Sequence, residues 1–469
     1  MKFIKIILSC LLFCSWFANA GNDAELKKII NSYSFDQNNY SLIAKNLTHP
    51  EKLNFEHNSQ SLFNSASLVK IITTFMAIEK LGPNFKWQSD FYHSGEIVEG
   101  VLEGDLIFKG RGDASFSVND LERMIVRLRQ LGIYKINGDL VIDSTYFGSM
   151  SQEKNFDNDP LRAYNVLPDA VSIQANTINF KFEVINDELK IFKDPNLEVL
   201  EVVNQISLTQ DKCRNWKSKI TYDVSQEKNM QKIIFGGSIS RDCENKEIDL
   251  YAIDDDIYFL ENFKKLWLLS GGLFDGKLKL ANEDTSSTAS LVTHFSAPLS
   301  ELIRDINKYS LNFMSRNLML TMLAEEIMMP ATEEDVNQFI HDWFILKGFN
   351  VDGLFVDNGA GLSRKIKVSA YQLSELLHAI YVHPLMPEII ASFPISAIDG
   401  TLEKRMLYSP VNARGHFKTG SLKDVNAMAG FFLNKQNEMI MFIFLMNDQK
   451  AGLSTSLQEK LIEKIFYMK

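Results

Sequence analysis

The chain has 469 residues, too many for one hydrophobic core, so two or three domains are expected. With 45% hydrophobic and 23% charged residues it belongs with ordinary globular proteins rather than disordered ones. The net charge of −10, with no basic stripe to offset it, excludes nucleic acid as the main partner.

Lys2 and Lys5 precede an apolar run over 6–17, and Ala18-Asn19-Ala20 fits a small-residue cleavage site. The pattern predicts an export signal over 1–20, removed near Ala20, with the mature chain starting at Gly21. The run is too short to span a bilayer comfortably, and no other apolar run is long enough, so no integral membrane segment is expected. Cys10 and Cys14 lie before the cleavage site, and their upstream residues fit lipid attachment poorly. Cys213 and Cys243 remain, with two readings open. Export favours a disulfide, worth about 3–4 kcal/mol by loop closure; the other reading is two free, buried thiols.

After a leading helix and strand-like pieces comes Asn64-Ser65-Ala66-Ser67-Leu68-Val69-Lys70, which opens an apolar run. Leu68, Ile71, Ile72, Phe75 and Ile78 recur near helical spacing, and Gly82-Pro83 is a stop signal, so the run predicts a helix with Ser65 as N-cap. Ser67 then falls in the first turn, where free backbone N–H groups stabilise developing negative charge. Lys70, three residues on, shares its face. A serine becomes a useful nucleophile when a base takes its proton, and a desolvated lysine can be that base. Ser-x-x-Lys is common by chance, so the motif needs partners.

Residues 98–108 read as strands with a turn at Gly104-Asp105. In the loop Gly110-Arg111-Gly112-Asp113, the Arg-Gly-Asp tripeptide reads as a chance turn sequence rather than an adhesion motif. A helix over 118–131 ends at Gly132, and 138–143 is a further strand. No Gly-x-Gly-x-x-Gly opens a helix, against a dinucleotide site. Residues 160–284 alternate in short segments such as Thr177-Ile178-Asn179-Phe180-Lys181-Phe182, a mostly β insertion that holds both cysteines and shows no chemistry.

Helical patterns return over 299–309 and 313–329, and Ser310-Leu311-Asn312 joins them. A hydroxyl and an amide two residues apart at such a join can relay a proton and hold a peptide amide. Further on, Gly415-His416-Phe417-Lys418-Thr419-Gly420-Ser421 alternates like a strand, and 428–433 and 439–446 follow as strands joined by a turn at 434–437. Alternation puts Lys418 and Gly420 on one side and Thr419 on the other. A cation for a carboxylate and a glycine admitting close approach suit an edge strand that binds an extended peptide. His416 reads as a satisfied structural histidine, and the eight histidines show no metal-ligand spacing. Leu457, Leu461, Ile465 and Met468 form one face of a last helix, expected on the sheet; the membrane-surface alternative is opposed by balanced Lys and Glu.

Ser-x-x-Lys, Ser-x-Asn and Lys-Thr-Gly are each weak signals, but in this order they are the set of penicillin-binding proteins and class A β-lactamases. The chain resembles the low-molecular-mass penicillin-binding proteins of the D-alanyl-D-alanine carboxypeptidase/endopeptidase type. Gly104-Asp105-Leu106, Gly110-Arg111-Gly112-Asp113 and Asn137-Gly138-Asp139-Leu140 resemble that family's inserted domain. Gly359-Ala360-Gly361-Leu362-Ser363-Arg364 and Asp399-Gly400-Thr401-Leu402 resemble its C-terminal half. Ser67 and Ser310 are 243 residues apart, a spacing that a compact β-lactamase does not have.

The resemblance implies an α/β (α+β) transpeptidase-type domain, an antiparallel sheet flanked by helices, built from 21–95 and 285–469. A mixed and β-rich insertion of two small subdomains over 96–284 interrupts it. It implies a periplasmic serine-type D-Ala-D-Ala carboxypeptidase, with DD-endopeptidase as second activity, that acts on peptidoglycan stem peptides and is inhibited by β-lactams. Ser67 is then the acylated nucleophile and Lys70 its base. Ser310 and Asn312 pass the proton to the leaving D-alanine and hold the peptide. Lys418 and Thr419 bind the terminal carboxylate, and the N–H groups of Ser67 and Ser421, beside Gly420, form the oxyanion hole. Arg364 and Asp159 are placed either against the stem peptide or in structural roles. Leu311 departs from the polar middle residue often seen in the second motif. No metal or cofactor is implied. A β-lactamase and a non-catalytic wall-binding scaffold are the alternatives.

Overall fold

The computed structural model describes residues 23–150, 156–227, 230–285, 289–326 and 330–468. The export signal predicted over 1–20 lies outside them, as do residues 327–329 of the second of the two predicted helices. The described residues divide into two compact units, one within the bounds Met1–Phe85, Ala297–Ile327 and Thr332–Lys469, the other within Lys86–Ser296 and Met328–Ala331. Among the described residues, no helix is long and apolar enough to cross a membrane.

The discontinuous unit is built on a five-stranded antiparallel sheet, in the order Asn54–His57, Tyr40–Asn46, Met439–Asn447, Val425–Leu433, Gly415–Leu422. The two central long strands are apolar on both faces, which marks a sheet covered on both sides. One row runs Ala44, Phe442, Gly430, Phe417 across four strands. Its side chains enter a core shared with Leu457, Leu461 and Ile465 of the helix Ser454–Phe466 and with Leu26 and Ile30 of the helix over 23–31. The last helix therefore packs on the sheet, as its apolar stripe predicts. Gly430, at φ +155°, is required in this row, because a Cβ there would lie 2.1 Å from the His416 carbonyl oxygen.

Since Phe417 points into this core, strand alternation turns Lys418 and Gly420 to the opposite face. Their cross-strand partners there are Ala429 and Ala427, so the surface is low. The turn Ala66–Leu68 settles on it, followed by the helix Val69–Lys80. Every residue of that helix from Val69 to Ile78 is buried, and it packs against the helices Leu299–Lys308 and Asn312–Glu326. A helix buried all round must satisfy its polar residues internally. Thr74 donates to the Lys70 carbonyl and accepts from Asn307 Nδ2, which also reaches Ser392 Oγ.

The second unit carries a five-stranded sheet ordered Leu278–Leu280, Leu140–Asp143, Leu106–Lys109, Gln88–His93, Val292–Phe295, and a four-stranded sheet containing Glu96–Val98 and Val101–Glu103. The helix Val118–Gln130 starts at a Ser117/Asp120 capping box and buries Leu121, Met124, Ile125 and Leu128. Three- and four-stranded β sheets over 178–250 share one core with these elements. The Arg-Gly-Asp tripeptide is structural: Arg111 pairs with buried Asp90 at 2.5 Å, and Asp113 is 3% exposed and holds Ser115.

Cys213 and Cys243 form a disulfide across 30 residues, so of the two sequence readings the pair is correct. Cys213→Ala/Cys243→Ala is expected to lower the stability of this unit by about 3 kcal/mol, read by urea unfolding of mature protein. An unchanged midpoint would show that the loop carries no such constraint.

Candidate active site

Ser67 lies in a tight turn, not in the first turn of the α-helix. The segment Ala66–Leu68 is 3₁₀, and the α-helix begins at Val69. Ser65 stands at the predicted N-cap position, but its side chain caps nothing; its Oγ is buried without a hydrogen-bond partner. The capping oxygen comes one residue earlier, as Asn64 Oδ1 accepts the Ala66 N–H at 2.9 Å. Asn64 is itself fixed, donating to the Ser363 carbonyl and exchanging two hydrogen bonds with Asn447. Ala66 is held at φ +45°. A left-handed non-glycine residue costs of order 1–3 kcal/mol and persists where its surroundings enforce it.

Two glycines do the enforcing. A Cβ on Gly420 would lie 2.5 Å from the Ser65 carbonyl oxygen, and one on Gly361, at φ +84°, 2.0 Å from that of Ala66. The strand Gly415–Leu422 and the loop at 361 therefore grip the turn from two directions, leaving Ser67 half-buried.

Lys70 is completely buried. Its Nζ lies 3.0 Å from Ser67 Oγ, 2.8 Å from Asn312 Oδ1 and 2.6 Å from the Ala360 carbonyl oxygen. Burial, followed by the nearby Lys418 charge, holds its pKa well below the ordinary lysine value. Two of its three partners only accept. A neutral amine has two N–H groups, so both are taken and its lone pair is left for the Ser67 hydroxyl. The arrangement suits a base poised to remove that proton.

Ser310 and Asn312 stand where the helices Leu299–Lys308 and Asn312–Glu326 meet. Ser310 is held at φ +60°, a second left-handed residue at the site. Lys418 Nζ donates to Ser310 Oγ at 3.0 Å and to the Thr419 carbonyl at 2.8 Å. Lys418 is as buried as Lys70, and burial lowers its pKa to about 7. The strand is at the sheet edge as expected, but the cation is not displayed on its surface. Thr419 is the half-exposed member, with its hydroxyl 2.7 Å from that of Thr401, and Ser421 is exposed.

All eight predicted site residues lie in the discontinuous unit. Arg364 pairs with Asp424, both about half exposed. Asp159, in the other unit, is occupied by Arg162 and Tyr222, the structural one of its two roles. His416 is only partly satisfied, since its Nδ1 is buried without a partner. Leu311 is 39% exposed and so not a packing residue. Sequence reasoning missed the Ala360 carbonyl, Asn358 behind it, and Thr401. The signal for the first two was Gly359-Ala360-Gly361, two glycines around one residue, which marks close backbone approach.

A profile of the D-Ala-D-Ala carboxypeptidase 3 (S13) family matches residues 22–464. The chain belongs to that family. It is a serine-type D-Ala-D-Ala carboxypeptidase, with the penicillin-binding fold. Among curated relatives, D-alanyl-D-alanine carboxypeptidase DacB of Haemophilus influenzae is 26% identical over 419 residues, 88% of this chain and 86% of that protein. The D-alanyl-D-alanine carboxypeptidase of Actinomadura sp. strain R39 is 25% identical over 399 residues, 81% of this chain and 72% of that one. The crystal structure of penicillin binding protein 4 (dacB) from Haemophilus influenzae superposes with a TM-score of 0.76 at 24% identity, over 91% of this chain and 96% of the other.

Proposed function

We propose that this S13 carboxypeptidase releases the terminal D-alanine of peptidoglycan stem pentapeptides through an acyl-enzyme on Ser67. The observation that carries this is the Lys70 amine 3.0 Å from Ser67 Oγ, with its two other partners acceptors. Lys70 takes the Ser67 proton as Oγ bonds to the carbonyl carbon of the penultimate D-alanine. The N–H groups of Ser67 and Ser421, beside Gly420, receive the oxyanion. The C–N bond breaks as the leaving amine gains a proton through Ser310 Oγ, and Asn312 holds the donor peptide. Water then splits the ester, yielding a tetrapeptide carboxylate and free Ser67.

Thr419 binds the terminal carboxylate with its half-exposed hydroxyl, while buried Lys418 supplies positive potential through Ser310 Oγ. The catalytic domain is the discontinuous unit, and the insertion expected over 96–284, whose compact unit runs from Lys86 to Ser296, adds no chemistry. The same machinery attacks D-alanyl crosslinks, giving DD-endopeptidase activity, and a β-lactam acylates Ser67 because its strained amide mimics D-Ala-D-Ala. The enzyme works in the periplasm, where these substrates are.

The test is fluorescent-penicillin labelling of purified mature protein, with D-alanine release from a stem pentapeptide measured alongside. Stable label and D-alanine release are expected. Rapid nitrocefin turnover without D-alanine release would make it a lactamase, and neither label nor release would make it a scaffold.

A further inference from the structure

The loop Asn358-Gly359-Ala360-Gly361-Leu362 sits where the helices bearing Lys70 and Asn312 come together. Successive carbonyls of this loop are read by successive turns of the two helices. The Ala360 carbonyl accepts from Lys70, which also donates to Asn312. One turn further along each helix, Thr73 Oγ1 and Ser315 Oγ both donate to the Gly359 carbonyl, each at 2.7 Å. Thr73 and Ser315 are fully buried. Neither reaches Ser67, and their i+3 spacing puts them on the same helix faces as Lys70 and Asn312. From within, Asn358 Oδ1 accepts the N–H groups of Ala360 and Gly361 at 3.0 and 2.9 Å and that of Leu362 at 3.3 Å. The carbonyl facing Lys70 is thus pinned on both sides.

We infer that Thr73 and Ser315 are positioning residues for the general base, clamping Gly359 so that the Ala360 carbonyl holds the Lys70 amine with its lone pair on Ser67. The inference rests on the assignment of Lys70 as the base. A carbonyl oxygen stabilises an ammonium more than a neutral amine. Releasing the clamp therefore lowers the Lys70 pKa further, and it also frees the amine to turn its lone pair from Ser67. The first effect moves the acidic limb of the pH profile to lower pH. The second lowers the plateau, because a misdirected base loses the advantage of orientation.

The experiment is the pH dependence of benzylpenicillin acylation, with its non-covalent binding constant and maximal acylation rate separated, for wild type, Thr73→Val/Ser315→Ala, Thr73→Ser/Ser315→Ala and Lys70→Met. For the double variant lacking both hydroxyls we expect a maximal rate about 10- to 100-fold lower, an acidic limb shifted down by roughly 0.5 to 1 pH unit, and an unchanged binding constant. Thr73→Ser/Ser315→Ala keeps one hydroxyl on Gly359 and is expected to restore the limb. If the variant without hydroxyls does not fold, Thr73→Val and Ser315→Ala singly are read against Thr73→Ser. A reduced active fraction with the wild-type pH profile would overturn the inference and leave Lys70 as the base. Acylation by Lys70→Met at near the wild-type rate would overturn the base assignment itself.

Discussion

Ser67→Ala is expected to lower D-alanine release by roughly 10⁴- to 10⁶-fold and to abolish covalent penicillin labelling, with the fold intact. The size follows from the kind of group removed. On the proposed mechanism Ser67 Oγ is the atom that bonds to the substrate, and the other serine hydroxyl described at the site, Ser310 Oγ, is held by Lys418 and not by the base Lys70. Members of a nucleophile–base unit lose most of the rate singly, so Ser67→Ala and Lys70→Met together should be scarcely worse than Ser67→Ala alone. Stability should move little. Lys70 keeps Asn312 and Ala360 as partners, and alanine fits the turn where it now follows Ala66. Mass spectrometry of the penicillin adduct and thermal unfolding separate the two effects. A full-strength adduct on Ser67→Ala would place the nucleophile elsewhere.

Which parts of the fold and site are readable in advance follows from the range of each signal. The helix after Ser67 and the last helix are legible because an apolar stripe of 3.6-residue period is a local pattern. The strand Gly415–Leu422 is legible in the same way, and alternation correctly sends Lys418 and Gly420 to one face. Alternation says nothing of depth, and the Lys418 ammonium is buried rather than offered at the edge. Ser65 is mistaken for a cap because Asn64, Ser65 and Ser67 are all capping types, and the choice falls to Asn64 through long-range bonds to Ser363 and Asn447. The third partner of Lys70 is not readable at all. It is a backbone oxygen 290 residues away, and any residue type supplies one. The count and the expected export favour the cysteine pairing without deciding it, while the anchoring of Arg-Gly-Asp depends on Asp90, twenty-one residues upstream of Arg111.

Lys418→Met is expected to make the protein both less active and more stable, a combination that a purely structural lysine does not give. Activity should fall by at least 10³-fold in D-alanine release, since methionine keeps the bulk but removes the charge beside Ser310 and the proposed carboxylate site. The stability gain follows from linkage. The folded-state pKa of Lys418 is lowered to about 7 from the ordinary 10.5, so between these values the unfolded chain binds more protons and stability rises with pH. Below about pH 7 the ammonium is present in both states and its burial costs the folded one in full, about 4–5 kcal/mol at 1.4 kcal/mol per tenfold. Methionine removes that penalty and loses the bonds to Ser310 and Thr419, worth about 1–1.5 kcal/mol each. The net gain expected near pH 6 is about 1–3 kcal/mol, shrinking as pH rises towards 10.5. The Lys418 charge also helps depress the Lys70 pKa, so the residual acylation should show its acidic limb shifted to higher pH. Urea unfolding at several pH values and the acylation profile measure the two consequences. A variant less stable than wild type at pH 6 would mean that the Lys418 hydrogen bonds outweigh its desolvation, and an unmoved limb would mean that the two lysines do not feel each other.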